Sequence, residues 1–327
     1  MGNIRAADYN ALHGTIASIL GQGSGSYATI PATDISLLYG YGQQVTSTQT
    51  TPYTEITAAQ WTALRNDMLA CYYHQGLSLQ LPSVPSKTQE ITQADYKLYN
   101  DIVTAINLNI NRLAFPAAGQ YSGTIIDAPS KTNWKGNTKH TVTVNFPSYT
   151  NSQSIPVTAA DCARYFFNTG SRIEITPSII GGGLSTNDGS TALDISWQVV
   201  FNRVGTIYLN YNSTTCTNTN YTSGPSQTVY LSSGIGFNTL TTSYQTILTS
   251  ICGNYGSTYY PNRYIVNAKV NVASNPSQII FQIIFEDTSN HANELVDSTV
   301  TSTVAYTRSS GSYVSVIGPT ASNSSFV

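Results

Sequence analysis

The run Ser277-Gln-Ile-Ile-Phe-Gln-Ile-Ile-Phe-Glu-Asp287 carries almost no turn chemistry. In an extended chain successive side chains alternate between faces. Ile279, Phe281, Ile283 and Phe285 therefore share one face, and Ile280, Gln282, Ile284 and Glu286 the other. A strand apolar on both sides needs cover on each. Burying each of those large side chains is worth roughly 1.5–3 kcal/mol. The stretch is expected in the middle of a sheet, in a β-sandwich or against another subunit.

Outward from this strand, everything after Ala114 has the same grammar: β-branched and aromatic runs broken by Gly, Asn, Ser and Pro. Strands are expected at Tyr121–Asp127, His140–Phe146, Arg172–Pro177, Leu193–Phe201, Gly205–Tyr211, Tyr264–Val272, Ile279–Glu286, Ser298–Tyr306 and Tyr313–Ile317. Arg203-Val-Gly205 is expected as a tight hairpin between two of them. Ile235 to Ile251 is ambiguous, since Leu240, Ile247 and Leu248 fit a short helix as well. Thr158-Ala-Ala-Asp161 opens one short helix inside this half.

The first 113 residues have helical spacing instead. Tyr9, Leu12, Ile16 and Ile19 step by three and four, as do Trp61, Leu64, Met68 and Cys71, and Tyr96, Tyr99, Val103, Ile106 and Ile110. The helix starts share a form: Ile4-Arg-Ala-Ala-Asp8, Ile56-Thr-Ala-Ala-Gln60 and Ile91-Thr-Gln-Ala-Asp95. Thr57 with Gln60 is a capping box, and Asp95 stands at the same place after Thr92. The fold expected is α+β: an N-terminal helical region over 1–113, then an antiparallel β-sandwich over 114–327 with one short inserted helix.

The helical stripes have two readings. Either they pack on one another within a small bundle, or they face a symmetry mate or docking partner. On the second, the candidate interface comprises Tyr9, Leu12, Ile16, Tyr39, Tyr41, Trp61, Tyr96 and Tyr99. The Gly-rich loop from Gly21 to Thr54, which holds Tyr39-Gly-Tyr-Gly-Gln43, is expected to be ordered by a partner chain. It lacks the preceding strand and the lysine of a phosphate-binding loop.

Charge narrows the function classes. Only 9% of the 327 residues are charged and the net charge is −2, against about 25% charged residues in ordinary soluble proteins. Ser, Thr, Asn, Gln and 23 Tyr fill the gap. Such a surface suits a protein packed in an assembly, or else an extracellular β protein. Nucleic-acid binding needs a basic footprint. The only basic run is Lys131, Lys135 and Lys139, with Trp134 and His140 among them. It is expected to be a strand edge guarded by lysines, not a base-stacking patch.

No site chemistry is legible. The four cysteines, Cys71, Cys162, Cys216 and Cys252, have no metal-ligand spacing, and buried free thiols are expected in preference to a Cys216–Cys252 bond. His13, His74, His140 and His291 are scattered, with no H-E-x-x-H. Glu286 and Asp287 are adjacent and so point to opposite sides of a strand. A glycosidase pair would have to be assembled from distant carboxylates such as Asp127, Glu174, Asp188 and Asp194. No catalytic residue, metal or cofactor is assigned. The start MGNIRAADYN has no apolar core, so no signal peptide is expected, and no run of about 18 apolar residues exists to insert in a membrane. Tyr255, Tyr259 and Tyr260 form a candidate ligand platform for stacking on sugars; their other reading is interface filler.

Two sets of motifs resemble a known family. One is Ile4-Arg-Ala-Ala-Asp-Tyr-Asn-Ala-Leu12, Tyr39-Gly-Tyr-Gly-Gln43 and Ile56-Thr-Ala-Ala-Gln-Trp61 followed by Leu64-Arg-Asn-Asp67. The other is His140-Thr-Val-Thr-Val-Asn-Phe146, Ala159-Ala-Asp-Cys-Ala-Arg-Tyr-Phe-Phe-Asn168, Asn262-Arg-Tyr264 and Phe285-Glu-Asp287. In this order they resemble virion structural proteins of tailed bacteriophages, notably those of marine cyanobacteria. The resemblance implies a structural role at tail, neck or baseplate, in a particle made in the host cytoplasm. Its implied partners are copies of the chain and other phage structural proteins. The alternatives it leaves are a receptor- or glycan-binding fibre module, which would contact a host surface glycan, and a capsid decoration protein.

Overall fold

In a computed structural model of the chain, residues 4–21, 40–77, 81, 91–110, 121–151, 154, 156–181, 189–218, 229–232, 234–251, 262–287 and 295–327 are described. In chain order the helices are α1 (Ala6–Leu20), α2 (Ala58–His74), α3 (Gln93–Leu108), α4 (Ala159–Asn168) and α5 (Gly189–Val204). The strands are β1 (Tyr121–Asp127), β2 (Ser130–Lys131), β3 (Asn137–Asn145), β4 (Tyr149–Thr150), β5 (Pro156–Val157), β6 (Arg172–Ile180), β7 (Ile207–Leu209), β8 (Thr214–Cys216), β9 (Val229–Leu231), β10 (Gln245–Ile251), β11 (Arg263–Val270), β12 (Gln278–Glu286), β13 (Thr299–Ser309) and β14 (Thr320–Phe326). The fold is α+β, with mostly antiparallel pairing.

Two compact units emerge, and they do not follow a single cut. One comprises Met1–Ser122, Ser148–Ser171 and Arg308–Ile317; the other comprises Gly123–Pro147, Arg172–Thr307 and Gly318–Val327.

In the second unit β12 occupies an interior position of a six-stranded sheet ordered β14-β3-β12-β11-β10-β9. Its alternation is as expected: Ile279, Phe281, Ile283 and Phe285 are fully buried. Their cross-strand partners on β11 are Val270, Ala268, Val266 and Tyr264, and on β3 they are Val144, Val142, His140 and Thr138. The other sheet runs β1-β13-β6-β7-β8, with β2 also on β13. It buries Val300 and Val304, Ile173 and Ile175, Ile207 and Leu209.

Leu193–Phe201 is not a strand but lies within helix α5. A strand would put Leu193, Ile195, Trp197, Val199 and Phe201 on one face. In the helix Leu193, Trp197, Val200, Phe201 and Val204 are buried, while Ile195 and Val199 remain 42% and 41% exposed. That is the 3.6-residue period, and the density of β-branched residues masked it. Arg203-Val-Gly205 is accordingly the end of this helix and not a hairpin. Gly205 takes φ 60° and its N–H closes on the Phe201 carbonyl at 2.8 Å. The second half thus carries a second inserted helix beside α4. The ambiguous Ile235–Ile251 resolves into a single 3-10 turn (Phe237–Thr239) and strand β10. Tyr313–Ile317 is not a strand, its pairing being a lone bridge from Ser310 to Ser315. The polar run Thr320–Phe326 forms edge strand β14 instead, with a bulge between Ser322 and Ser325.

In the first unit α1, α2 and α3 pack on one another. Thr57 accepts from the Gln60 N–H at 3.2 Å, and Gln60 accepts from the Thr57 N–H at 2.9 Å. Thr92 and Asp95 repeat the exchange at 3.2 and 2.9 Å. At α4 the Thr158 hydroxyl caps the Asp161 N–H at 3.1 Å. Each such cap supplies about 1 kcal/mol.

Candidate functional site

The helical stripes face inward. Tyr9, Leu12, Ile16, Tyr41, Trp61 and Tyr99 are buried in the first unit's own core, and Tyr96 packs against it. Trp61 meets Tyr9 edge-on at 5.3 Å and Tyr99 at 5.0 Å between ring centres. Tyr41 donates to the Ile110 carbonyl at 3.0 Å and accepts from the Gln75 amide at 2.9 Å. The buried ones among these side chains close a bundle within one chain, while Tyr96 stays half-buried. Tyr39, and the platform Tyr255, Tyr259 and Tyr260, lie outside the described residues.

The described second half of the Gly-rich loop also makes its contacts within its own chain. Gly42 has φ 69°, and a Cβ there would come within 2.4 Å of the Tyr165 ring. The Gly40 carbonyl accepts from Asn168 at 3.3 Å. Further on, Asp67 of α2 pins the chain: its carboxylate accepts from the Thr46 and Ser47 N–H groups at 3.0 and 2.8 Å, and from their hydroxyls at 2.7 and 2.5 Å. Because the Ser47 proton goes to Asp67, His13 Nδ1 donates to Ser47 Oγ, at 2.9 Å. Burial lowers the His13 pKa.

Beside this anchor runs a groove of about 560 Å³. Leu20, Ala59, Ala63 and Ala70 give it apolar walls, and Gln44, Asn66, Ser312 and Tyr313 give it polar ones. Tyr313 stacks on Tyr73 at 4.9 Å. Asp67 also lines the groove, with both carboxylate oxygens engaged as above.

Two polar clusters in the second unit escaped sequence reasoning because their members are far apart in the chain. In the first, His140 Nε2 donates to Asp127 at 2.9 Å and Nδ1 accepts from the Ser302 hydroxyl at 2.8 Å. The residue types are those of a nucleophilic triad, but His140 and Ser302 are both 0% exposed. A nucleophile must reach a substrate carbonyl; this hydroxyl is sealed between the sheets. The group is a polar bridge joining β3 to β1 and β13. Burial lowers the His140 pKa against the opposing pull of Asp127, which favours the neutral ring that this bonding pattern requires.

In the second cluster Asp194 of α5 is wholly buried and meets Asp297. Ser298 Oγ lies 2.6 Å from Asp194 Oδ2 and also against the Gly181 carbonyl. One hydroxyl proton cannot serve two acceptors. If it goes to Gly181, the carboxyl of Asp194 must carry its own proton. Burial first, then Asp297, push the Asp194 pKa up to about 7, while Ser298 pulls it down.

The carboxylates considered for hydrolysis are thus committed separately. Asp127 serves His140, Glu174 bonds Arg172 and Thr307 at 2.8 and 2.7 Å, and Asp188 lies outside the described residues. Trp134 and His140 are buried, so the lysine run offers no stacking surface. Cys71, Cys162 and Cys216 are buried free thiols, with the Cys162 pKa raised by burial to about 12. Among the described residues no three His, Cys, Asp or Glu side chains converge as metal ligands, and no helix is long and apolar enough to cross a membrane.

The outward faces of the sheets carry many hydroxyls and amides, with Arg172, Glu174, Arg263, Lys269 and Glu286 among them. On β13 and β6 the outward positions include Thr299, Thr301, Thr303, Thr307, Thr176 and Ser178. Ser130 bonds Thr301 at 2.8 Å and Thr176 bonds Thr206 at 2.9 Å. On the other sheet Thr246 donates to Asn267 at 2.8 Å and Asn267 to Gln282 at 3.3 Å, beside half-buried Ile265, Ile280 and Ile284. Comparison of the chain with protein-family models, with curated proteins and with solved structures returned no match.

Proposed function

We propose that the chain is a structural component of a tailed-phage virion, carried at the tail, neck or baseplate and assembled through low-charge surfaces rich in Tyr, Asn, Ser and Thr. The observation that carries the reading is the character of the sheet exteriors. They present many hydroxyl and amide side chains and half-buried isoleucines beside a few charges, among them the pairs Arg172–Glu174 and Arg263–Glu286, in a chain with only 9% charged residues. Charges are depleted at the centres of protein interfaces, and surfaces that hydrogen-bond without ionic desolvation are well suited to packing. The motif resemblance points the same way. The partners proposed are copies of the chain and neighbouring virion proteins, and no reaction is assigned to it.

Antibodies against the chain, applied to purified particles from a phage that encodes it, test this. Labelling at one end of the particle is the expected result. Absence of the chain from purified, infectious particles would overturn the reading.

A further inference from the structure

Asp194, in the second turn of α5, is a buried acid without a base. Its side chain is 0% exposed, and no Lys, Arg or His among the described residues forms an ion pair with it. Ser298 holds one of its oxygens: Oδ2 accepts from the Ser298 N–H at 3.2 Å and stands 2.6 Å from the Ser298 hydroxyl. The other oxygen, Oδ1, is buried as well, and no N–H or hydroxyl of the described residues donates to it. Native proteins rarely leave such an acceptor without a partner.

The group that meets this side chain is a second acid, Asp297. Each acid is fixed by its own element. Asp194 rides on α5, and Asp297 lies between Ser298 and Val296, whose N–H and carbonyl bridge to Trp134 at 3.0 and 3.2 Å. Asp297 is half-buried, so the pair is not sealed from water.

Two carboxylates in contact do not both stay ionised unless a positive charge lies between them. A proton cancels one of the two charges, and a divalent ion cancels both. The atoms around the pair are oxygens: the Ser298 hydroxyl, and the Gly181 carbonyl that lies against it. Two carboxylates in such surroundings suit a hard cation and offer nothing to a soft one.

We propose that Asp194 and Asp297 bind a Ca²⁺ ion, with Asp194 Oδ1 and the Asp297 carboxylate as its protein ligands and water on the open side completing its shell. Ca²⁺ accepts irregular oxygen shells and gives up water more readily than Mg²⁺, which suits a pair with one buried member. With only two protein ligands the site belongs with the weak ones, with a dissociation constant on the order of 1 mM. The ion clamps α5 to the start of β13. This inference does not rest on the virion role.

Urea unfolding of the full chain labelled with 5-fluorotryptophan tests it, with roughly 10 mM CaCl₂ against EDTA. The pH is set about one unit above the Asp194 pKa, which is pushed up to about 7, so that the proton has left. Trp134 and Trp197 report the second unit and Trp61 the first. CaCl₂ is expected to raise the folding constant of the second unit about tenfold and to leave the Trp61 transition in place. MgCl₂ at the same concentration is expected to give a smaller rise. Asp297→Asn, which keeps the shape and removes the charge, is expected to abolish the response. Asp194→Asn serves if that variant does not fold. Native wild type gives a readout that needs no variant: the ¹⁹F resonance of Trp197, about one turn along α5 from Asp194, is expected to shift saturably with Ca²⁺ while that of Trp61 stays.

A second unit indifferent to CaCl₂ overturns the site. So does a response that survives either carboxyl replacement, or one carried by Trp61. Mg²⁺ that matches or outdoes Ca²⁺ overturns the choice of ion.

Discussion

Removing the Asp67 carboxylate is expected to release the 46–50 segment from α2. Four donors converge on that carboxylate in a site where Asp67 and Ser47 are both buried. The two hydroxyls can rotate toward other acceptors, but the Thr46 and Ser47 N–H groups cannot. Each stranded N–H costs about 1–3 kcal/mol. With the partial loss of the hydroxyl bonds, Asp67→Ala is expected to destabilise the first unit by about 3–5 kcal/mol. Asp67→Asn keeps one acceptor and turns an amide N–H toward the remaining donors, so about half of that loss is expected. Guanidinium unfolding of protein labelled with 5-fluorotryptophan is the assay. The ¹⁹F resonance of Trp61 reports the first unit, and those of Trp134 and Trp197 the second. A Trp61 midpoint displaced by less than about 1 kcal/mol in Asp67→Ala would show that these bonds do not hold the segment.

Gly42→Ala adds a Cβ against the Tyr165 ring and places it on a left-handed backbone; a loss of about 2–5 kcal/mol in the Trp61 transition is expected, and a neutral substitution would refute the close approach. Ile283→Ala, in the buried row of β12, is expected to cost about 2–5 kcal/mol in the Trp134 and Trp197 transitions, and a shift in the Trp61 transition alone would contradict the assignment of β12 to the second unit. For Asp194 the folded pKa is raised to about 7 from an ordinary 3.8. The folded state therefore holds the proton more tightly, and the second unit loses stability as pH rises from about 4 to 7. His140, whose pKa burial lowers, has the opposite slope near and below its ordinary value. The difference between wild type and Asp194→Asn isolates the carboxyl: the variant is expected to gain on wild type between pH 5 and 8, and parallel pH profiles would refute the proton on Asp194.

Local signals in the chain were legible where they act over three or four residues. Thr57 with Gln60 and Thr92 with Asp95 mark helix starts because the capping side chain and its N–H donor are neighbours in sequence. The alternation of Ile279, Phe281, Ile283 and Phe285 identified an interior strand because the period of an extended chain is its own property. The scarcity of charge is visible in composition. One failure set residue type against period. Val199 and Ile195 favoured a strand by residue type, yet the run forms α5, whose Trp197 and Phe201 pack into the sandwich core.

From the sequence alone came the helix starts, the central strand and the surface chemistry, each encoded by residues close along the chain. Only the tertiary structure decided what the stripes face, which is one another. It also joined Asp127, His140 and Ser302 across the sandwich and brought Asp194 to Asp297. Periodicity states that a face is apolar, but the identity of its cover depends on long-range chain closure, and sequence spacing carries no distance across a core.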